Sequence, residues 1–313
     1  MTTAFVFPGQ GSQAVGMGKS LADNFAPARA VFEEVDAALG EKLTRTMWEG
    51  PADKLTLTEN TQPALLAVSI AALRVLEAEA GLQLARDVAF LAGHSLGEYS
   101  AHAAAGSLAL ADAARLVRLR GRAMQQAVPV GVGAMAALLG LDEEAARAVA
   151  SEAAQGEVCE AANDNAPGQI VVSGHKTAVA RALDIAKARG ARAMMLPVSA
   201  PFHCALMQPA ADAMAEALSK VNVGTPKIPV VANVTAKLVE DRAEIVKLLV
   251  AQITGTVRWR QSVAYLAANG VNRIVEVGSG KVLAGLVRRI AKEVSTATVG
   301  NADDVLAFKG AKA

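Results

Sequence analysis

One stretch constrains this chain more than any other, the passage from Val88 to Gly97. Val88 to Ala92 is an unbroken apolar run, which suits a strand covered on both faces, as in a parallel sheet sandwiched by helices. Gly93-His94-Ser95-Leu96-Gly97 follows without a break, and a helical pattern begins over 96–105. A chain that turns from strand to helix in so few residues must pass very close to itself. Glycines on either side of Ser95 remove the Cβ atoms that would clash there. The turn lifts Ser95 clear of the sheet, and the helix start leaves N–H groups without intrahelical partners. Strand, Gly-x-Ser-x-Gly, helix is the context a nucleophile elbow requires. A serine-capped turn with no chemical role is the plain structural alternative.

The rest of the chain alternates in the same way. Ala4 to Phe7 reads as a short strand ending in Pro8-Gly9-Gln10-Gly11-Ser12, with helices predicted over 27–39, 62–79 and 112–127. The middle changes character: strand at 133–139, helix at 142–154, strands at 157–162 and 170–173, helix at 176–189, strand at 193–198. That β-α-β-β-α-β order is the ferredoxin-like pattern. Further helices are predicted near 205–220, 241–253, 259–268 and 281–292, and strands near 228–233 and 273–277. The expected fold class is α/β. A large α/β-hydrolase-like domain with a parallel sheet, over 1–127 and 199–313, carries a small inserted ferredoxin-like domain over 128–198. The tail after Asn301 is expected to be peripheral.

A serine hydroxyl needs a base, and the chain has four histidines. His94 is the neighbour of Ser95 on the entering strand, so alternation points it to the other face. His102 lies roughly 10 Å along the following helix and reads as a packing histidine. His175 opens a helix of the middle segment, where a cap or surface role is the simpler reading. His203, in Ser199-Ala200-Pro201-Phe202-His203, sits where the chain returns to the large domain. It leads by elimination, although position alone does not exclude the others.

The helix at 112–127 carries four arginines. Arg115, Arg118 and Arg122 share a face with Gln125 and read as a solvated basic face. Arg120 instead falls in the middle of the stripe Ala113, Leu116, Val117, Met124, Ala127. A guanidinium on an apolar face demands an anion. That anion is either an internal Asp or Glu, or a ligand carboxylate gripped by the planar fork.

Composition closes off other classes. A net charge of +1 gives no reason to expect nucleic acid or a membrane surface as partner. Two cysteines, Cys159 and Cys204, are too few for a disulfide framework, and a reducing compartment fits. Met1 to Gln10 has no basic n-region, and the apolar stretch Ala64 to Leu76 is too short to span a bilayer. A cytoplasmic protein is expected. Gly9-Gln10-Gly11-Ser12-Gln13-Ala14 fits a dinucleotide pattern, but a helix stands where the next strand should be. Gly278-Ser279-Gly280-Lys281-Val282 is not a phosphate loop, since Val275 replaces the first glycine. No cysteine or histidine pairs fall at zinc spacing. The competing enzyme class is a serine esterase or thioesterase, which shares the elbow, places an acid between serine and histidine, and has no use for Arg120. A purely binding scaffold would need no reactive serine at all.

Five blocks, taken together, are more specific. Phe7-Pro8-Gly9-Gln10-Gly11-Ser12-Gln13, Gly93-His94-Ser95-Leu96-Gly97-Glu98-Tyr99, Asn163-Asp164-Asn165-Ala166-Pro167-Gly168-Gln169, Pro201-Phe202-His203 and Glu276-Val277-Gly278-Ser279-Gly280-Lys281-Val282-Leu283 resemble, in order, the signature blocks of the malonyl-CoA:acyl-carrier-protein transacylases of bacterial fatty acid synthesis. The resemblance spans nearly the whole chain. It implies transfer of a malonyl group from malonyl-CoA to the phosphopantetheine thiol of acyl carrier protein through a malonyl-serine, with no metal or other cofactor. It implies Ser95 as nucleophile, His203 as base, and the backbone N–H groups of Gln10 and Leu96 as oxyanion hole. A backbone carbonyl, here that of Gln252, orients the histidine in place of a carboxylate. Arg120, in Leu119-Arg120-Gly121, matches the receptor of the malonyl carboxylate. Gln62 matches a position near the acyl pocket, and Phe202 resembles the malonyl-type rather than the methylmalonyl-type transferases. An acyltransferase using another acyl-CoA in polyketide synthesis shares these blocks. His102 departs from the pattern, standing where relatives more often carry an apolar or small residue.

Overall fold

The computed structural model describes residues 1–310. Its first stretch contains β1 (Thr3–Phe7), α1 (Lys19–Asn24), α2 (Ala26–Leu39), α3 (Leu43–Glu49), α4 (Ala52–Thr56), α5 (Thr58–Glu79), α6 (Leu84–Asp87), β2 (Phe90–Gly93), α7 (Gly97–Ala104) and α8 (Leu110–Gln126). The middle contains β3 (Gly133–Leu139), α9 (Glu143–Ala154), β4 (Cys159–Ala166), β5 (Gln169–His175), α10 (Lys176–Ala188) and β6 (Arg192–Met195). After a 3₁₀ turn at Ala205–Met207 come α11 (Gln208–Ser219), β7 (Val230–Val231), β8 (Leu238–Val239), α12 (Arg242–Thr254), α13 (Trp259–Ala268), β9 (Arg273–Val277), α14 (Val282–Ile290), β10 (Ser295–Val299) and α15 (Ala302–Gly310).

The main sheet has the order β10-β9-β1-β2-β7-β8. All pairings are parallel except β7 with β8. Parallel strands covered on both faces explain the apolar runs: every residue from Ala4 to Phe7, and both Leu91 and Ala92, is buried. Helix α5 is long and apolar enough to cross a membrane, but 83% of its most apolar window is buried inside the molecule. It is the core helix against which α2 and α8 pack. It begins at Thr58, ahead of the expected 62, with Pro63 inside it.

The second sheet is fully antiparallel, in the order β4-β5-β3-β6. One face packs α9 and α10 through Ala136, Leu138, Val149, Ile170, Val172 and Val179. The other turns Met135 and Val171 into the main core. Its edge strand is stitched to the main body: Val257 N–H donates to the Ala162 carbonyl at 2.8 Å and Asp164 N–H to the Val257 carbonyl at 2.9 Å. Arg260 adds side-chain bonds to Asp164 at 2.9 Å and Glu143 at 3.2 Å.

Two expectations are corrected. The short helices α1, α3, α4 and α6 were not predicted, because segments of four to seven residues carry too little periodicity to read. The segment after Asn301 is not peripheral as far as Gly310: in α15, Val305 is fully buried and Phe308 meets Phe5 edge-on at 6.4 Å.

Candidate active site

Strand β2 ends at Gly93, and within four residues the chain is helical. A Cβ on Gly93 would lie 1.9 Å from the Gly97 carbonyl oxygen, and one on Gly97 would lie 2.2 Å from the Phe7 oxygen. Those distances are impossible for any other residue, so the two glycines are what permits the turn. Ser95 itself is held at φ 53°, in the left-handed region that non-glycine residues avoid. Asn233 holds it there. Its Oδ1 accepts the Ser95 N–H at 2.7 Å and its Nδ2 donates to the Gly93 carbonyl at 2.6 Å. Coming just after β7, this side-chain amide continues the ladder where β2 leaves the sheet.

His203 reaches Ser95 from the seam between the two sheets. Its Nε2 stands 2.8 Å from Ser95 Oγ, and its Nδ1 stands 2.8 Å from the Gln252 carbonyl oxygen. A carbonyl can only accept, so Nδ1 carries the proton and Nε2 is the free acceptor for the serine hydroxyl. His203 is itself at φ 60° and buried. Burial and the charge of Arg120 pull its pKa down to about 3, so the ring is neutral near pH 7.

Arg120 is 1% exposed. Its Nη1 donates to Gln62 Oε1 at 2.9 Å, and its Nη2 to Gln252 Oε1 at 2.7 Å and to Ser95 Oγ at 3.0 Å. Its guanidinium lies 5.6 Å from the centre of the Tyr99 ring. Among the described residues no Asp or Glu forms an ion pair with it. The internal salt bridge that sequence left open is therefore not formed. The close approach of α8 to α5 depends on Gly121, where a Cβ would lie 2.6 Å from Glu59 Cα. Without that approach the Arg120–Gln62 bond could not be made.

A cavity of about 200 Å³ opens onto this group, lined among others by Gln10, Gln62, Ser95, Leu96, Arg120, Phe202 and His203. Among the described residues, the Gln10 and Leu96 N–H groups donate to no protein acceptor. The predicted site residues thus come together, Gln252 included, its side chain bonded to the Ser95 carbonyl at 3.0 Å.

Other readings need correction. His94 does not face away. It lines the same cavity and bonds Asn165 Oδ1 through Nε2 at 2.8 Å, because the strand's alternation stops at Gly93. Arg118 is not on a solvated face. It is buried between Asn60 and Glu41, since α8 is covered on more than one side. His175 accepts the Val158 N–H at 2.9 Å and does not cap its helix. His102 packs as expected, fully buried and 2.9 Å from Ser107. Sequence reasoning missed Asn233 and Glu98. Glu98 is 1% exposed, and its Oε2 accepts from Gln252 Nε2 at 2.6 Å and from the Asn233 N–H at 3.1 Å. An acidic residue in the first turn of a helix ordinarily signals only the helix dipole.

A parallel sheet covered on both faces, with a histidine-paired serine on a strand-to-helix turn, is the architecture of enzymes that take an acyl group onto serine. The acyl transferase domain matches residues 4–304, and the chain belongs to that family, among the malonyl CoA-acyl carrier protein transacylases. It is an acyltransferase. The malonyl CoA-acyl carrier protein transacylase of Salmonella typhimurium is 48% identical over 297 residues, 95% of each chain. The acyl-carrier-protein S-malonyltransferase of Bartonella henselae superposes with a TM-score of 0.96 at 56% identity, covering 98% of both chains. A malonyl-transacylase solved with its holo type II polyketide acyl-carrier protein is 43% identical, with a TM-score of 0.95 over 99% of this chain and 100% of that one.

Proposed function

We propose that this enzyme moves a malonyl group from malonyl-CoA to the phosphopantetheine thiol of an acyl carrier protein through an ester on Ser95. The observation that carries this reading is Arg120: a buried guanidinium with only neutral partners, 3.0 Å from the hydroxyl that His203 addresses. A thioester whose acyl chain ends in a carboxylate puts its carbonyl at Ser95 when that carboxylate meets Arg120.

His203 Nε2 takes the proton from Ser95 Oγ as it attacks the thioester carbonyl. The N–H groups of Gln10 and Leu96 receive the developing oxyanion. The Gln252 carbonyl holds the imidazole and accepts its Nδ1–H as the ring becomes positive. Protonated His203 then delivers the proton to the departing CoA sulfur. In the second half, His203 deprotonates the carrier's thiol, whose sulfur attacks the ester carbonyl; as the bond to Ser95 Oγ breaks, His203 returns the proton to that oxygen and both groups are restored. Phe202 and Gln62 line the acyl pocket. The related transacylase solved with a polyketide carrier supports a polyketide carrier as well as a fatty acid carrier as acceptor. Work in the cytoplasm is supported by two buried free thiols, Cys159 and Cys204. We also read 128–198 as a ferredoxin-like unit inserted into the body formed by 1–127 and 199–313. The strand order β4-β5-β3-β6, with two helices on one face, supports that division.

The experiment is mass spectrometry after incubation with malonyl-CoA. A malonyl adduct on Ser95, discharged by holo acyl carrier protein faster than by water, is expected. An adduct elsewhere overturns the site, and faster loss to water returns the chain to the esterase class.

A further inference from the structure

Arg120 brings one permanent positive charge into a buried site, and the charge nearest to balancing it is not in contact with it. Gln252 stands between them. An arginine can only donate and a carboxylate or carbonyl can only accept, so the Gln252 amide is oriented without ambiguity. Its Oε1 faces Arg120 Nη2 at 2.7 Å, and its Nε2 faces Glu98 Oε2 at 2.6 Å and the Ser95 carbonyl at 3.0 Å. Glu98 is 1% exposed, and its Oε1 has no hydrogen-bond partner. The mechanism above uses neither of its oxygens.

We infer that Glu98 is the resting counter-ion of Arg120, relayed through Gln252, and that it takes up a proton when a substrate carboxylate binds. The inference rests on the reading of Arg120 as a carboxylate receptor. An incoming carboxylate makes two anions for one buried cation. It also cancels the attraction by which Arg120 favours ionised Glu98. The idle Oε1 is where the proton would sit. The groups facing Glu98 are Arg120 from α8, Tyr99 from its own helix, and the neutral amides of Gln252 and Asn233. His203 lies one step further, on the Gln252 carbonyl. Burial, opposed by the bonds from Gln252 and Asn233 and by Arg120, has already pushed the Glu98 carboxyl up to about 7. It is thus poised to change state with a single added charge. The consequence is specificity: an acyl group without a carboxylate leaves Glu98 ionised and the site's charge unchanged.

Calorimetry in buffers of different ionisation enthalpy tests this on the Ser95→Ala variant, where binding occurs without chemistry. Malonyl-CoA should draw in up to about three quarters of a proton at pH 7.5. Acetyl-CoA, which carries the same phosphates, should draw in none beyond their contribution. The difference should vanish in Ser95→Ala/Glu98→Gln. Equal uptake with both ligands overturns the inference, as does a difference that survives Glu98→Gln. If the double variant does not fold, infrared difference spectra of Ser95→Ala decide. With the malonyl carboxylate labelled by carbon-13 so that its bands move aside, a new carboxylic acid carbonyl band is expected, and its absence overturns the inference. Failure of the underlying reading looks different: the malonyl-to-acetyl ratio of kcat/KM would then be unchanged by Arg120→Ala.

Discussion

Replacing Arg120 with alanine should change what the enzyme accepts more than whether it works. The guanidinium is enclosed, with bonds to Gln62, Gln252 and Ser95 at 2.7–3.0 Å and no anion in contact with it among the described residues. Losing one partner of a buried charge pair costs about 2–5 kcal/mol, or about 30-fold to 5,000-fold in rate. The cavity is open on one side, which favours the lower part of that range, so malonyl transfer should fall by about 10²-fold. Acetyl transfer should hold or rise, because an acetyl group no longer strands a desolvated cation. Arg120→Lys should recover part of the malonyl rate, since an ammonium cannot present the two-pronged contact. The variant will also lose thermal stability, because Gln62 Oε1 and Gln252 Oε1 are left unpaired, but that loss acts on both substrates alike. The assay is kcat/KM for malonyl-CoA and acetyl-CoA, with holo acyl carrier protein as acceptor, in each variant. A malonyl-to-acetyl ratio unchanged by Arg120→Ala would refute the receptor assignment.

Ser95→Ala should lower kcat by about 10⁶-fold, leaving the oxyanion donors and binding alone; a malonyl adduct persisting by mass spectrometry would sink it. His203→Ala should slow both half-reactions. Because burial and Arg120 hold His203 down to about 3, the ring stays neutral and the unmutated enzyme's kcat/KM should not fall as the pH is lowered from 8 to 6. Arg120→Ala should move the acid limb upward, and a wild-type limb near pH 6.5 would contradict the burial argument. Asn233→Ala removes both bonds that pin the elbow and should cost about 10–10²-fold in kcat with KM little changed; an unaltered kcat would show that the glycines alone hold Ser95. Carrier docking should depend on basic side chains without ion-pair partners among the described residues, Lys187, Arg192, Lys281 and Arg288, rather than on Arg181 and Arg189, which are paired with Glu157 and Glu152. Neutralising these four should weaken transfer to the carrier at low salt, and a salt-independent transfer rate would count against electrostatic docking.

The features legible in the sequence are those whose cause is local. Gly93 announces the elbow because a Cβ there would meet the Gly97 carbonyl only four residues on. The stripe of α8 betrays Arg120 because helical periodicity places a charge among Leu116, Val117 and Met124. His203 was reached by elimination among four, and the fold then set it 2.8 Å from Ser95. What sequence could not reveal depends on distant partners. Asn233 meets Ser95 across 138 positions, and Gln252 meets Glu98 across 154. Glu98 itself looks like an ordinary first-turn acid. Arg118 misleads for the opposite reason: a regular basic face reads as solvated, while Glu41 and Asn60, arriving from elsewhere, bury it.

These distant contacts explain why a carbonyl, rather than a carboxylate, orients His203. An aspartate in the place of the Gln252 carbonyl would stand within reach of the arginine that sits beside Ser95. In a buried site the two would pair, since an isolated charge of either sign is costly there. Arg120 would then be neutralised from within, and a substrate carboxylate would have to compete with a permanent neighbour. A carbonyl oxygen fixes the tautomer and accepts the Nδ1–H as well, yet adds no charge. Gln252 does both tasks at once: its backbone orients the base, while its side chain keeps the one nearby carboxylate, Glu98, an amide's width from the guanidinium. The lower basicity of His203 is the cost. It falls first because the ring is buried and then because Arg120 is close, and the second part should recover as a bound carboxylate pairs with that arginine. The base would then strengthen when the acyl group to be transferred is the one the site is built to hold.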